Sequence, residues 1–251
     1  MILTEKNYYG KKANIEYMSY SQFKDFCECP AMAIAKIKGK YKPESSESML
    51  VGSYVDAFLD NNFEQFKIQT PEIFTIKGEL KAQFKKADDI CQIIKKDKYL
   101  YKLLTGERQK ILICNIAGVK FKTKLDSLLQ NFIIDGKVVK DCEDCWIDGE
   151  KKSFIFKYRY DLQAAIYQTA VLQNYNKKLP FLLAVVTKET VPDKRIFKIT
   201  DETINNAMQE IIVKAPIFNA MKKGETEIYG CGKCDYCKSI KKLNKKNIEE
   251  I

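Results

Sequence analysis

The spacing of hydrophobic residues changes near residue 105, and it predicts helices before that point and strands after it. Within residues 46–60, apolar side chains recur three and four positions apart, which is the spacing of one helical face. The residues of this stripe are Leu50, Val51, Tyr54, Val55, Phe58 and Leu59. A second helix is predicted from Ser19 or Ser21, either of which is a suitable N-cap, to about Lys38. A more polar helix is predicted over residues 78–97.

After residue 105 the chain contains short apolar runs of the kind that form strands. Two small turns, Ala117-Gly118 and Gln130-Asn131, separate the first three runs and predict an antiparallel meander. The predicted strands are residues 109–116, 119–129, 132–140, 181–188 and 194–199, and the helices among and after them are residues 160–175 and about 201–222. This order predicts an α/β (α+β) fold in which helices flank a central mixed sheet.

The length and composition are those of one globular domain, which we expect to span residues 1–251. Its predicted parts are a helical part (about 17–105), a catalytic sheet core (about 106–222) and a Cys-rich tail (about 228–240). No apolar run reaches the roughly 18 to 20 residues that a membrane span needs. The first residues lack the apolar core of a signal peptide, so we expect a cytoplasmic protein that does not bind membranes.

Charge and residue usage narrow the possible chemistry. The formal charge of +10 favours a polyanion such as DNA as the partner, although a Lys-rich composition that serves solubility explains it equally well. The chain has no histidine, which excludes Ser-His-Asp and Cys-His catalysis and His-ligated zinc. Nine cysteines in a protein expected in the cytoplasm indicate free thiols or metal ligands rather than disulfides.

The hairpin of residues 119–129 and 132–140 brings two acidic residues together. A turn centred on Gln130-Asn131 places Asp126 directly opposite Asp135, with Cβ atoms about 4.5 to 5.5 Å apart. Because side chains alternate along a strand, Lys137 projects from the same face as Asp135. Two opposed carboxylates are destabilising by themselves, and a hard divalent cation such as Mg²⁺ or Mn²⁺ would offset that cost. A solvated hairpin face with unrelated charges is the alternative.

The same residues carry a resemblance to a known superfamily. Asp126, followed by Asp135-Gly136-Lys137, is similar to the second and third motifs of the PD-(D/E)XK nucleases, which have a restriction-endonuclease-like core. Gln163 and Tyr167, four residues apart on one helical face, resemble the Gln-x-x-x-Tyr motif of the RecB-like branch. The segment MLVGSYVDAFLD resembles the first-motif helix of phage RecE-type exonucleases, with Asp56 at its acidic position. The resemblance runs from about residue 17 to about residue 240.

This resemblance implies a role for each motif residue. Asp126 and Asp135 would hold the metal ion, with Asp56 as a further ligand and the backbone carbonyl of Gly136 completing the coordination. Lys137 would position the attacking water, and Gln163 and Tyr167 would contact DNA or support the site. One departure concerns the third motif, where relatives usually read Asp-Leu/Ile-Lys-Thr-Thr and this chain reads Asp-Gly-Lys-Val-Val. The glycine weakens the strand and can mark a bulge.

The cysteines form a second constellation. Cys231, Cys234 and Cys237 are three thiols at tight spacing, which is typical of metal ligation. RecB-like relatives of the AddB kind join one N-terminal cysteine to three C-terminal ones around a [4Fe–4S] cluster, which implies Cys29 as the fourth ligand. The last two cysteines are closer here than in those relatives, so zinc or no metal stays open, as does a zinc site that includes Cys142 and Cys145. Cys91 and Cys114 lie in apolar stretches and are expected in the core.

Taken together, the resemblance implies an Mg²⁺- or Mn²⁺-dependent exonuclease that acts on double-stranded DNA ends in phage or prophage recombination. It also implies a RecT-like annealing protein as partner and, as in some such nucleases, a homo-oligomer. The alternatives are a catalytically decayed nuclease fold that only binds DNA, and an endonuclease or single-strand nuclease that uses the same residues.

Overall fold

The computed structural model describes residues 1–44 and 46–242, and helices form most of its first hundred residues. The α-helices are α1 (Lys11–Glu16), α2 (Tyr20–Glu28), α3 (Pro30–Ile37), α4 (Glu47–Leu59), α5 (Phe63–Gln69), α6 (Ala82–Lys96), α7 (Lys98–Leu104), α8 (Phe154–Lys157), α9 (Tyr160–Tyr175), α10 (Asp201–Lys223) and α11 (Asp235–Ser239), with a 3₁₀ helix at Pro71–Ile73. None of the helices in the described residues combines the length and apolarity that a membrane span requires.

The strands form one large and one small sheet. They are β1 (Glu107–Ile116), β2 (Val119–Leu128), β3 (Ile133–Val139), β4 (Cys145–Ile147), β5 (Glu150–Lys152), β6 (Phe181–Thr187) and β7 (Lys194–Lys198). The five-stranded sheet has the order β1-β2-β3-β6-β7, and β4 pairs with β5. Strand β3 runs antiparallel to β2 and parallel to β6, so the predicted mixed sheet is confirmed. The β4–β5 hairpin was not predicted, since each strand has only three residues.

The register of the β2–β3 hairpin is the one that its turn predicts. Ser127 pairs with Ile134 and Leu128 with Ile133, and the backbone N–H of Leu129 donates to the carbonyl of Phe132 at 2.9 Å. Continued by one residue, this register sets Asp126 opposite Asp135. The hairpin therefore fixes which side chains of the two strands share a face.

The two faces of β3 and β6 are covered by different helices. Ile134 and its neighbours on β6 pack into an apolar cluster with α4, α6 and α7. On the opposite face, Asp135 accepts a hydrogen bond from Gln163 of α9, and the rings of Tyr167 and Phe181 lie 6.2 Å apart. Every residue of β6 is buried, which explains its continuous apolar run. The site chemistry therefore lies between the sheet and α9 and at the adjacent strand ends.

One predicted helix proved to be two. The segment after Ser19 forms α2 and α3, which are separated by Cys29 in an extended conformation at φ −164° and ψ 106°. Pro30 follows directly, and proline disfavours helical geometry in the residue before it. The prediction of one helix to about Lys38 was therefore wrong, and the break places the Cys29 side chain at a helix start.

Gly136, which can mark a bulge, does not interrupt the pairing of β3 with β6. The parallel ladder between β3 and β6 runs without interruption through Gly136, which pairs with Ala184. A Cβ atom at Gly136 would lie 2.9 Å from a methyl group of Leu104 in α7. The glycine is therefore explained by packing, because the Leu104 side chain occupies the space that a side chain at this position would need.

The described chain divides into two compact units. Unit 1 comprises Met1–Pro43, Asn115–Lys122 and the chain from Gln209 onwards, and unit 2 comprises Glu44–Cys114 and Thr123–Met208. That residues 1–251 form a single PD-(D/E)XK domain stays a prediction. In unit 1, the ring of Phe218 lies 5.3 Å from that of Phe23 and 5.1 Å from that of Phe26, so aromatic contacts join its first and last segments.

Unit 1 also buries a lysine. The side chain of Lys122 is 1% exposed, and its ammonium group donates to the carbonyl of Tyr8 at 2.5 Å and to Oδ1 of Asn14 at 2.7 Å. Burial lowers the pKa of Lys122 to about 8. Lys222, which is partly buried, donates to Gln22 at 2.9 Å, and burial and the charge of Lys122 lower its pKa to about 7. Burying these ammonium groups therefore costs stability at neutral pH.

We expect the burial cost of Lys122 to disappear as pH rises. In the unfolded chain the lysine has a pKa of about 10.4. Between about pH 8 and pH 10 the unfolded state therefore binds more protons than the native state, and the free energy of unfolding rises with pH. Relative to Lys122→Met, the wild-type free energy of unfolding should rise by about 1 kcal/mol between pH 8 and 9, measured by urea unfolding. The exposed Lys120→Met variant is the control. Parallel pH curves for wild type and Lys122→Met would contradict the explanation.

A double-mutant cycle tests the packing of Gly136. Gly136→Leu should lower the free energy of unfolding by about 2 kcal/mol, because it overfills the space beside Leu104. Leu104→Ala should lower it by about 3 kcal/mol through the cavity it leaves. The double variant should lose clearly less than the sum, since each substitution relieves the defect of the other. Additive losses in urea unfolding would show that the two positions do not compete for the same space.

Candidate active site

Asp135 is the buried centre of the site in unit 2. Its carboxylate is 1% exposed at the middle of β3, where Oδ1 accepts a hydrogen bond from Nε2 of Gln163 at 2.7 Å and Oδ2 pairs with the ammonium group of Lys137. Burial raises the pKa of Asp135 to about 7; the Lys137 ammonium opposes this rise, and the nearby Asp126 carboxylate adds to it. Burial of the ionised carboxylate is therefore unfavourable, and Lys137 offsets only part of that cost.

Asp126 reaches the same place from β2. Its Oδ2 accepts a hydrogen bond from the backbone N–H of Gly136 at 3.1 Å and lies 4.0 Å from Nζ of Lys137. The side chain thus accepts a hydrogen bond from a backbone N–H that lies beyond the two residue pairs of the β2–β3 ladder. This hydrogen bond holds the Asp126 carboxylate close to the Asp135 carboxylate on the neighbouring strand.

Lys137 lies among these acidic groups. Besides the two carboxylates, Nζ donates to the carbonyl of Gly136 at 3.3 Å and lies 5.5 Å from the centre of the Tyr160 ring. Burial alone would lower the pKa of Lys137, but the charges of Asp135 and Asp126 outweigh it and raise the pKa above its usual value. The side chain is therefore a fixed cation that is held by carboxylates and an aromatic face.

Asp56 lies on α4 and lines a small cavity of about 140 Å³ together with Gly136 and Lys137. Partial enclosure raises the pKa of Asp56 to about 7, and the Asp126 carboxylate adds to the rise. The side chain remains 48% exposed, so it can be reached from solvent. The structure thus places Asp56 close enough to Asp126 and Lys137 to act with them electrostatically.

Arg108 fixes the surroundings of Asp56. Its Nη2 atom lies 2.6 Å from Oδ1 of Asp60 and 4.0 Å from Oδ1 of Asp56, and its Nη1 donates to the carbonyl of Leu104 at 3.1 Å. Gln109 donates to the other oxygen of Asp60 at 3.0 Å, from a backbone with φ of 54°. Asp60 therefore holds the guanidinium group in place beside the acidic site.

Two tyrosines of α9 complete the surroundings. Tyr167 donates its hydroxyl to the carbonyl of Lys124 on β2 at 3.2 Å and is 8% exposed, so it ties the helix to the strand that carries Asp126. Tyr160 is also buried, which raises its pKa to about 12. Tyr160 precedes Gln163 by three positions, so both lie on the helical face that looks towards Asp135 and Lys137.

The site suits a hard divalent cation. Asp56, Asp126 and Asp135 offer carboxylate oxygens and Gly136 a carbonyl oxygen, which are the donors that Mg²⁺ and Mn²⁺ prefer. Burial is the main cause of the raised pKa values of Asp56 and Asp135; the Asp126 carboxylate adds to the rise, and the Lys137 ammonium opposes it only in part. Oε1 of Gln163 is buried and has no hydrogen-bond partner among the residues that the structure describes, so this acceptor beside Asp135 can take a donor such as water.

The structure brings most of the predicted residues together. Asp126, Asp135, Lys137 and Gln163 are joined by direct contacts, and Asp56 lines the small cavity together with Lys137. Tyr167 instead supports the backbone of β2. Sequence reasoning missed Tyr160 and the pair of Asp60 and Arg108. The helical spacing from Gln163 points to Tyr160, and Arg108 is one of only three arginines in the chain, but neither observation selects the residue without the fold.

In unit 1, Cys29, Cys231, Cys234 and Cys237 form one group whose sulfur atoms all lie within 4.8 Å of one another. Cys29 is thus the partner of the C-terminal triad, as the resemblance implied, and Cys142 and Cys145 are not members of the group. Backbone N–H groups of Lys233 and Cys234 lower the pKa of Cys231 to about 6, which favours its thiolate. Cys91 and Cys114 are buried in the core as predicted, and burial raises the pKa of each to about 12.

Comparison with known proteins agrees with this geometry. Residues 19–240 match the model of a family described as a PDDEXK-like domain of unknown function (DUF3799). A crystal structure described as a "putative exonuclease" from Eubacterium rectale is 40% identical, with a TM-score of 0.94 over 98% of this chain and 96% of that one. A second structure, SSO0001, is 12% identical over 76% of this chain and 88% of that one, with a TM-score of 0.29. No curated protein matches the chain.

The extent of these matches decides the family. The family model covers most of the chain, and the 40% identical structure shares nearly the whole fold. The five-stranded mixed sheet with its helices is the restriction-endonuclease-like core that the motifs implied. The chain therefore belongs to this PDDEXK-like family and, through it, to the PD-(D/E)XK nuclease superfamily.

Proposed function

We propose that this chain is a metal-dependent DNA exonuclease that hydrolyses phosphodiester bonds from the ends of double-stranded DNA. The observation that carries the proposal is the meeting of Asp126, Asp135 and Lys137 at one point of the sheet. Membership of the superfamily supports a nuclease, and the description of the similar Eubacterium rectale structure supports the exonuclease mode. The net charge of +10 suits a polyanionic substrate.

Each residue has a task in this proposal. Asp126, Asp135, Asp56 and the carbonyl of Gly136 would hold Mg²⁺ or Mn²⁺, and a bound ion of this kind polarises the scissile phosphate and lowers the pKa of a bound water. The ammonium group of Lys137 orients the attacking water and stabilises negative charge on the phosphoryl oxygens. Gln163 fixes the orientation of the Asp135 carboxylate through a 2.7 Å hydrogen bond.

The surrounding residues make these tasks possible. The ring of Tyr160 lies 5.5 Å from the ammonium nitrogen of Lys137 and favours this position of the charge. Arg108, held by Asp60, adds a fixed positive charge beside Asp56, where a phosphate oxygen of the substrate can approach. We also propose that the protein acts with a RecT-like annealing protein and forms a homo-oligomer. Only the resemblance to phage RecE-type exonucleases supports these two proposals.

Linear and covalently closed circular duplexes test the function. With Mg²⁺ or Mn²⁺, the wild-type protein should degrade only the linear form, because an exonuclease needs an end. Asp135→Asn keeps the hydrogen bond to Gln163 but removes a charged ligand, so the rate should fall by more than about 100-fold. Asp148→Asn, in an exposed turn of unit 2, is the matched control and should keep full activity. Cutting of circles would replace the exonuclease with an endonuclease, and binding without cleavage would indicate a decayed fold.

Lys137 is tested separately from metal binding. Lys137→Gln should lower the turnover number by about 100- to 1,000-fold, because the variant lacks the charge that stabilises the phosphoryl oxygens. Its affinity for Mn²⁺, measured by calorimetry, should not weaken, since the ammonium group that pairs with Asp135 is gone. Asp135→Asn should show the opposite pattern, with clearly weaker Mn²⁺ binding.

The control for Lys137 is Lys140→Gln, which changes a lysine whose side chain is 90% exposed just beyond the end of the same strand. It should leave turnover and Mn²⁺ affinity at wild-type values. Near-ultraviolet circular dichroism of all variants checks that the fold is intact. Retained turnover in folded Lys137→Gln would remove this lysine from the catalytic group.

A further inference from the structure

The four cysteines of unit 1 form a compact sulfur cage. The Sγ atoms of Cys29, Cys231, Cys234 and Cys237 lie within 4.8 Å of one another, and those of Cys29 and Cys237 are 3.6 Å apart. Cys29 and Cys237 are buried, and the other two are half-buried. Among the described residues no carboxylate belongs to this group, so its donor set there consists of sulfur alone.

The size of the cage decides what it can hold. Four thiolates at about 2.3 Å from a tetrahedral zinc ion stand about 3.8 Å from one another, which agrees with the observed separations. In a [4Fe–4S] cluster each cysteine binds a different iron, so the whole iron–sulfide core separates the sulfur atoms. Sulfur atoms that all lie within 4.8 Å leave no room for such a core. The cluster that the resemblance implied does not fit this arrangement.

The local backbone is built for close sulfur atoms. Gly232 has a φ of +74°, which turns the chain between Cys231 and Cys234 so that the N–H of Cys234 donates to the sulfur of Cys231 at 3.3 Å. The N–H of Cys231 donates to the sulfur of Cys29 at 3.4 Å, which links the N-terminal ligand to the turn. These donors stabilise thiolate charge without any side chain.

A glycine also gives the last ligand its space. A Cβ atom at Gly230 would lie 2.9 Å from the sulfur of Cys237, so only glycine permits this approach. The N–H of Cys237 donates to the sulfur of Cys234 at 3.5 Å, at the start of α11. Every sulfur except that of Cys237 thus accepts a backbone N–H, and the Cys237 sulfur lies against Cys29 instead.

We propose that Cys29, Cys231, Cys234 and Cys237 bind one zinc ion in a closed, tetrahedral, purely structural site. The ion joins two segments of unit 1 that are 208 positions apart in sequence, and its binding free energy stabilises that unit. With all four positions taken by protein, the ion has no open position for a substrate or water. The proposal depends only on the cysteines and not on the nuclease function.

Metal analysis of the full chain tests the proposal. Protein is produced in medium that contains both iron and zinc, purified once in air and once without oxygen, and its zinc, iron and acid-labile sulfide are measured. We expect about one zinc per chain in both samples, no iron above background and no broad absorbance in the visible range. Four irons with four sulfides per chain in the oxygen-free sample would overturn the proposal, and so would one iron per chain.

Cysteine variants locate the ion. Cys234→Ser should lose the zinc, whereas the double variant Cys142→Ser/Cys145→Ser, which changes the other Cys-x₂-Cys pair, should keep it. Because a variant without the ion can fail to fold, the wild-type protein is also stripped of metal by a chelator under reducing conditions and titrated with Co²⁺. Thiolate-to-cobalt charge-transfer bands that saturate at one equivalent support the site. Zinc that persists in Cys234→Ser, or a titration without such bands, would overturn it.

Discussion

The site depends on one buried carboxylate, that of Asp135. Removing an ionised group from water costs several kcal/mol unless partners compensate it, and here Lys137 and Gln163 share that task on either side of the carboxylate. Both partners are positioned by regular structure, one by the alternation of β3 and one by the first turns of α9. The sheet and the helix must therefore meet in one register for the carboxylate to be tolerated at all.

Strand alternation separates the chemistry from the packing. On β3, Asp135 and Lys137 face α9, while Ile134 and Gly136 face the helices α4 and α7. Both faces nevertheless depend on Gly136. Its N–H donates to Asp126, and the Leu104 side chain occupies the space that a side chain at this position would need. A single residue thus couples the position of a carboxylate to the packing of a helix on the other face.

Much of this arrangement could be predicted from local pattern. The turn at Gln130-Asn131 fixed the hairpin register, and helical spacing placed Gln163 and Tyr167 on one face of α9. The helix break at Cys29 was not predicted, although Pro30 indicates it, because the apolar stripe continues through both helices. Arg108 and Asp60 could not be paired from sequence, since 48 residues and several elements separate them. The distances between the four sulfur atoms could not be predicted either, because sequence spacing identifies the candidate cysteines but not how close their side chains lie.

The order in which unit 1 is assembled along the chain has a consequence for synthesis on the ribosome. The segments of unit 2 end at Met208, so its sheet and helices can close while the rest of the chain is still being translated. Unit 1 needs its first residues and those from Gln209 onwards, so Met1–Pro43 must wait through most of translation without its final neighbours. During that interval the aromatic residues Phe23 and Phe26 lack their contacts with Phe218. The N-terminal segment therefore completes its aromatic contacts only after most of the chain has been translated.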